Sequence, residues 1–136
     1  MDLYDSMKVA ASGLNAQSAR LQVISENLAN ADSVATTPGG EPYRRKVISF
    51  HSVLDHTSNL QTVQAGQVAT VRGALTRRFD PNNPAAGPDG YIQLPNVNPL
   101  IELMDMREAQ QTYQANLNVV SAAKTMVSQT IALLQA

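Results

Sequence analysis

Between Leu103 and Leu134 apolar residues recur at alternating steps of three and four: Leu103, Met106, Tyr113, Leu117, Val120, Val127, Ile131 and Leu134, with Gln110 and Lys124 as the two breaks. No Gly or Pro interrupts the stretch. A 3.5-residue repeat held this long predicts an amphipathic helix whose narrow apolar stripe faces a partner helix. The first thirty residues carry a stripe of the same period, Leu3, Met7, Ala10, Leu14, Leu21, Ile24 and Leu28, broken at Gln17. The expected helices are about 40 Å and about 55 Å long. An antiparallel two-helix coiled coil of the N- and C-terminal helices is the simplest arrangement that covers both stripes.

The ends of both helices are marked. Asp2 is a good N-cap, and Asp5 puts a carboxylate in the first turn, where the helix dipole favours it. Asn30 is the expected C-cap, in the left-handed conformation that Asn tolerates. Asn98 caps the second helix, Pro99 takes its first position, and Glu102, Asp105 and Glu108 load its early turns. The polar breaks suggest a register with Gln17 opposite Gln110, which sets Lys124 beside Leu3, within reach of Asp2 or Asp5.

Residues 31–97 have another character. Every proline except Pro99 and every glycine except Gly13 falls here. Strands are expected over residues 43–50, over residues 66–75 with an extension to 79, and over residues 91–94 after a Gly-Pro-Asp-Gly turn. The fold class is therefore mainly α with a small β insert. Residues 1–30 with 98–136 form the terminal-helix region, and residues 31–97 a β-containing patch at one end of it, with too few apolar residues for a large core.

Composition adds what the stripes do not. Charged residues make up 15% of the chain, against about 25% in a typical domain. Residues 9–19, 109–123 and 125–136 hold no charge at all. The outward faces of an isolated coiled coil carry Glu, Lys and Arg for solubility. Here they carry Gln111, Gln114, Asn116, Asn118, Ser121 and similar residues, which can be buried through hydrogen bonds without desolvating a charge. Helices packed on several sides by neighbouring chains follow, with the free ends ordering on assembly.

Chemistry is sparse. There is no Cys, which excludes disulfides and thiolate metal sites. His51 and His56 share neither a helix face nor a metal-ligand spacing. No nucleophile or phosphate-binding motif is present, no cofactor is implied, and an enzyme is disfavoured. The net charge of −1 calls for neither nucleic acid nor an anionic membrane. Arg44-Arg45-Lys46 and Arg77-Arg78 are expected to be solvated or paired with acids of a neighbouring subunit. The start lacks a secretory leader, and no stretch approaches the length of apolar residues that a bilayer span requires.

The residues Ala11-Ser12-Gly13-Leu14-Asn15-Ala16-Gln17, Arg20-Leu21 and Val23-Ile24-Ser25-Glu26-Asn27-Leu28-Ala29-Asn30 resemble the N-terminal signature of the flagellar rod and hook proteins. Tyr113-Gln114-Ala115-Asn116, followed by Lys124 and Leu134, is similar to that family's C-terminal helix. Hook and distal-rod members carry a large extra domain for which this chain has no room, so the resemblance points to the proximal rod. It implies export through the flagellar type III apparatus without a cleaved signal peptide. It also implies polymerisation into a helical tube, the rod that crosses the periplasm and transmits torque from motor to hook.

Expected partners are further copies of the chain, other proximal-rod subunits, the rod-to-ring adaptor at the base and the distal-rod protein, with no nucleic acid and no small-molecule substrate. The stripe residues named above would hold the subunit's own helix pair. Gly13, Ala16, Asn27, Asn30, Gln114, Asn116 and Ser121 would meet neighbouring subunits. The competing reading is a coiled-coil adaptor or chaperone-like module, for which charged outer faces are expected.

Overall fold

The computed structural model describes residues 2–135; Met1 and Ala136, the outermost residues of the expected terminal-helix region, lie outside them. Two long helices flank a small β region. Helix α1 spans Leu3–Ala29 and helix α2 Pro99–Gln135. At the start of α1 the Asp2 carboxylate accepts from the Leu3 N–H, and the Asp5 carboxylate accepts from the Asp2 N–H at 2.9 Å. Asn98 Oδ1 accepts from the Leu100 N–H at 3.0 Å at the start of α2. The end of α1 differs from expectation. Among the described non-glycine residues only Asn59 has a positive φ, so Asn30 is not left-handed. Instead its side-chain amide donates to the Glu26 carbonyl at 2.9 Å, satisfying one of the helix's orphan acceptors directly.

Four strands make two two-stranded sheets. Strands β1, Lys46–Asp55, and β2, Leu60–Thr70, form a hairpin. Strands β3, Thr76–Phe79, and β4, Tyr91–Leu94, pair antiparallel, with Arg78 opposite Ile92 and Phe79 opposite Tyr91. β4 has the expected bounds. β1 starts later than expected, at Lys46, and the Arg45 N–H before it goes to the Asn96 side chain at 2.8 Å. β2 starts earlier, so Gly66 lies inside it; a Cβ there would come within 2.9 Å of Ser49 Oγ on the facing strand. The expected extension to residue 79 is a separate strand in the other sheet.

The chain divides into two compact units. The first takes Met1–Leu21, Ile48–Gln67 and Arg107–Ala136. In it Gly13 meets Asn116 and Arg20 pairs with Glu108 at 3.7 Å, so the two helix segments run in opposite directions. Ala10, Ala16, Ala109 and Ala123 are buried here. The outer part of the hairpin lies along α1: the Val63 N–H donates to Ser12 Oγ at 3.1 Å, and Lys8 pairs with Asp55. This differs from an insert confined to one end of the helices. A lone two-stranded hairpin is marginal in water and gains stability by lying on a helix.

The second unit takes Gln22–Val47 and Val68–Met106. Its small core holds Val23, Ile24, Ala31, Ala85 and Ile92. Phe79 and Tyr91 stack edge to face with centroids 5.2 Å apart on the outer side of β3–β4.

Candidate functional site

The second unit is organised around Asn27, which is 1% exposed. Its Nδ2 donates to the Lys46 carbonyl at 2.8 Å and to Glu102 Oε2 at 3.2 Å. Its Oδ1 accepts from the Lys46 N–H and from the Tyr43 hydroxyl, both at 2.8 Å. The amide thus pairs with one backbone unit as another peptide group would, and all four of its hydrogen-bonding positions are used. Glu102, 0% exposed, also accepts from Arg45 Nε. Arg45 reaches Asp105 at 3.4 Å, its carbonyl accepts from the Val71 N–H at 2.8 Å, and Asn96 bridges it to the Val71 carbonyl. Lys46 pairs with Glu26, whose acceptor hydrogen bond raises the lysine's pKa. Burial, and then the nearby Glu26 charge, raises that of Tyr43.

Thus Arg45 and Lys46 find their acids within the chain, and so does Arg44 through Glu41 at 3.3 Å. The acids of α2 do more than serve the helix dipole. Buried Glu102 is held by a cation and an amide, as an ionised carboxylate out of water requires. Sequence reasoning missed this centre. The available signal was Arg45 within a basic triplet, set against Glu102 and Asp105 three apart on α2, with Asn27 near the end of α1.

The expected stripe residues sort into two sets. Leu3, Met7, Leu14, Leu21, Leu28, Met106, Tyr113 and Val120 are half-buried, and Ile24 is buried. Leu103, Leu117, Val127, Ile131 and Leu134 are exposed, Leu134 by 83%. The buried positions of α2 are instead Glu102, Ala109 and Ala123, one residue before Leu103, Gln110 and Lys124. Small side chains explain the rotation. Ala109 and Ala123 let a neighbouring backbone approach, and a Cβ on Gly13 would stand 2.8 Å from Asn116 Nδ2.

Of the residues expected to meet neighbouring subunits, Ala16 and Asn27 are buried within the chain, and Gly13, Asn30 and Asn116 are half-buried. Gln114 and Ser121 are exposed. From Lys124 to Gln135 every residue is exposed, including Met126, Val127, Ile131, Leu133 and Leu134. One 18-residue window of α2 reaches a mean hydropathy of 1.2 with only 6% of it buried, which amends the expectation that no stretch is apolar enough for a bilayer. Among the described residues no three His, Asp or Glu stand together as metal ligands.

Residues 7–35 match the flagella basal body rod protein family, and residues 89–133 match the C-terminal family of the flagellar basal body rod FlgEFG proteins. The chain is 49% identical to the flagellar basal-body rod protein FlgC of Agrobacterium fabrum, over 98% of this chain and 96% of the relative. It is 37% identical to FlgC of Salmonella typhimurium over 98% of both chains, and 36% identical to FlgC of Borreliella burgdorferi over 99% of both.

Proposed function

Because the chain belongs to the FlgC family of flagellar basal-body rod proteins and is a structural subunit of that rod, we propose that its uncovered α2 face joins it to neighbouring subunits. The protein is not an enzyme, and it assembles with other rod components in the flagellar basal body. The observation that carries the proposal is the exposed end of α2, apolar and without charge after Lys124. A solvated helix end of that composition is costly, and burial by a neighbour relieves the cost.

On this reading the terminal helices, residues 1–30 with 98–136, pair as an antiparallel coiled coil and build the wall of a helical tube. Residues 31–97 decorate it. Met106, Tyr113 and Val120, with Leu14, Leu21 and Ile24, hold the subunit's own helices. Leu103, Leu117, Val127, Ile131 and Leu134 turn to neighbours, with Gly13, Ala16, Asn30, Gln114, Asn116 and Ser121 packing among them. Those neighbours are copies of the chain, other proximal-rod subunits, the rod-to-ring adaptor and the distal-rod protein. The tube crosses the periplasm and passes torque from motor to hook, after export through the type III apparatus. Leu117→Asp tests it in cells: lost swimming with rods arrested is expected, and normal swimming overturns the role of this face.

A further inference from the structure

The hairpin of β1 and β2 has no core of its own: not one residue from Lys46 to Thr70 is buried. Clefts of about 560 Å³ and about 460 Å³ remain where residues 50–65 face the helices of the first unit. The strand ends that belong to the second unit are held there. Asn27 takes both backbone groups of Lys46, and the Val71 N–H donates to the Arg45 carbonyl at 2.8 Å. The tip is organised by its own residues. Its Asp55 carboxylate accepts from the Thr57 N–H and the Ser58 hydroxyl, both at 2.9 Å, and Asn59 closes the turn with a φ of 51°. Among the described residues, the hydrogen bonds that join the hairpin to α1 sit at Lys8 and Ser12. The Lys8 ammonium pairs with Asp55 and donates to Ser58 Oγ at 2.9 Å. Ser12 Oγ, whose own proton goes to the Val9 carbonyl, accepts from the Val63 N–H at 3.1 Å.

We propose that the hairpin is a strap, latched to α1 at Lys8 and Ser12, that lifts off and recloses as one unit while the centre around Asn27 stays folded. A segment without buried side chains opens at a lower free energy than the core to which it is joined. Two strands freed from their helix are marginal in water, so the lifted strap loses its cross-strand hydrogen bonds together. The held ends at Lys46 and Val71 keep both strands tethered and return them to the same place. Exposed ion pairs and single hydrogen bonds are individually weak, and they break without disturbing a core. Contacts of that kind suit a reversible latch, whereas a buried apolar seam would hold the hairpin down permanently. Lifting uncovers the side of α1 beneath, where Ser12 is half-buried, Ala16 is buried and both line the larger cleft. Access to that side of α1 is thereby conditional on the latch.

Hydrogen exchange of the purified full-length chain tests the strap. Amides of residues 48–67 are expected to share one protection, lower than that of the amides around Ile92, which report opening of the second unit's core. Lys8→Met together with Ser12→Ala should speed hairpin exchange about tenfold and leave the Ile92 segment unchanged. Lys8→Met alone, expected at about threefold, serves should the pair disturb folding. The chain has no cysteine, so Ala16→Cys supplies a single thiol that reports the lifting itself. Its labelling should quicken by the same factor as hairpin exchange. Hairpin protection equal to that around Ile92, or unmoved by either substitution, overturns the strap. An equal rise in both segments shows general loosening and overturns the latch. Hairpin amides that exchange while the thiol at position 16 stays closed to reagent overturn the lifting, since the strands then fray in place.

Discussion

Around Asn27 every hydrogen-bonding position of a buried amide is matched inside the chain, whereas from Lys124 onward α2 covers none of its large apolar side chains. The two regions solve opposite problems. A buried carboxylate such as Glu102 cannot wait for a partner, since an unmatched ion out of water would not be tolerated. An exposed apolar helix end can wait, because its cost is spread over many small contacts and is removed when another surface arrives. The polar centre is therefore finished within the subunit, whereas the helix end is left uncovered in it.

Substitutions can break or sharpen this contrast. Glu102→Ala removes the acceptor of Arg45 and Asn27, and should cost about 3 kcal/mol. Urea unfolding of the purified chain measures it, and a loss below about 1 kcal/mol would mean that the centre is not structural. Asn27→Ala strips partners from Tyr43 and from both backbone groups of Lys46, for an expected loss of about 2 kcal/mol in the same assay.

The hairpin tip should respond to acid. Asp55 is held well below the usual carboxylate range by the Lys8 ammonium, then by the Thr57 N–H and the Ser58 hydroxyl. A depressed carboxylate contributes stability that is present above its unfolded value and is lost as pH falls through its folded one. Protection of the hairpin-tip amides, corrected for intrinsic exchange, should hold from neutral pH to about 4 and decline below. Asp55→Asn should weaken protection at neutral pH and abolish that decline. The partner Lys8 is raised, chiefly by the same hydrogen bond, so its contribution is complete below the ordinary lysine value and lost only as pH rises through the folded one.

The smallest effect on the isolated subunit belongs to Ile131→Asp, within about 0.5 kcal/mol because the side chain is exposed. The same change should abolish swimming. An unfolding midpoint that drops as far as that of Glu102→Ala would show that the end of α2 is already packed in the free chain, and the contrast would fail.

Much of the architecture was legible in the chain. Both helices, the caps at Asp2 and Asn98 and the strand at residues 91–94 follow from periodicity and local chemistry. So do the charge-free surfaces, because the missing charges are evident from the order of residues alone. The phase of the helix contact was not legible in the same way. Leu103, Leu117 and Val127 have the right spacing for a buried stripe, and so do Glu102, Ala109 and Ala123. Hydrophobicity favours the first set and close approach favours the second.

The sequence by itself determined the periods, the helix ends and the charge-free surfaces, because each depends on residues near one another along the chain. Only the tertiary structure decided which side of α2 turns inward, where the hairpin lies on α1, and that Asn27 and Glu102 share one buried centre. Those outcomes depend on residues 75 positions apart meeting in space, as Asn27 and Glu102 do. Which of two equally spaced rows is buried is settled only when a neighbouring backbone tests their size.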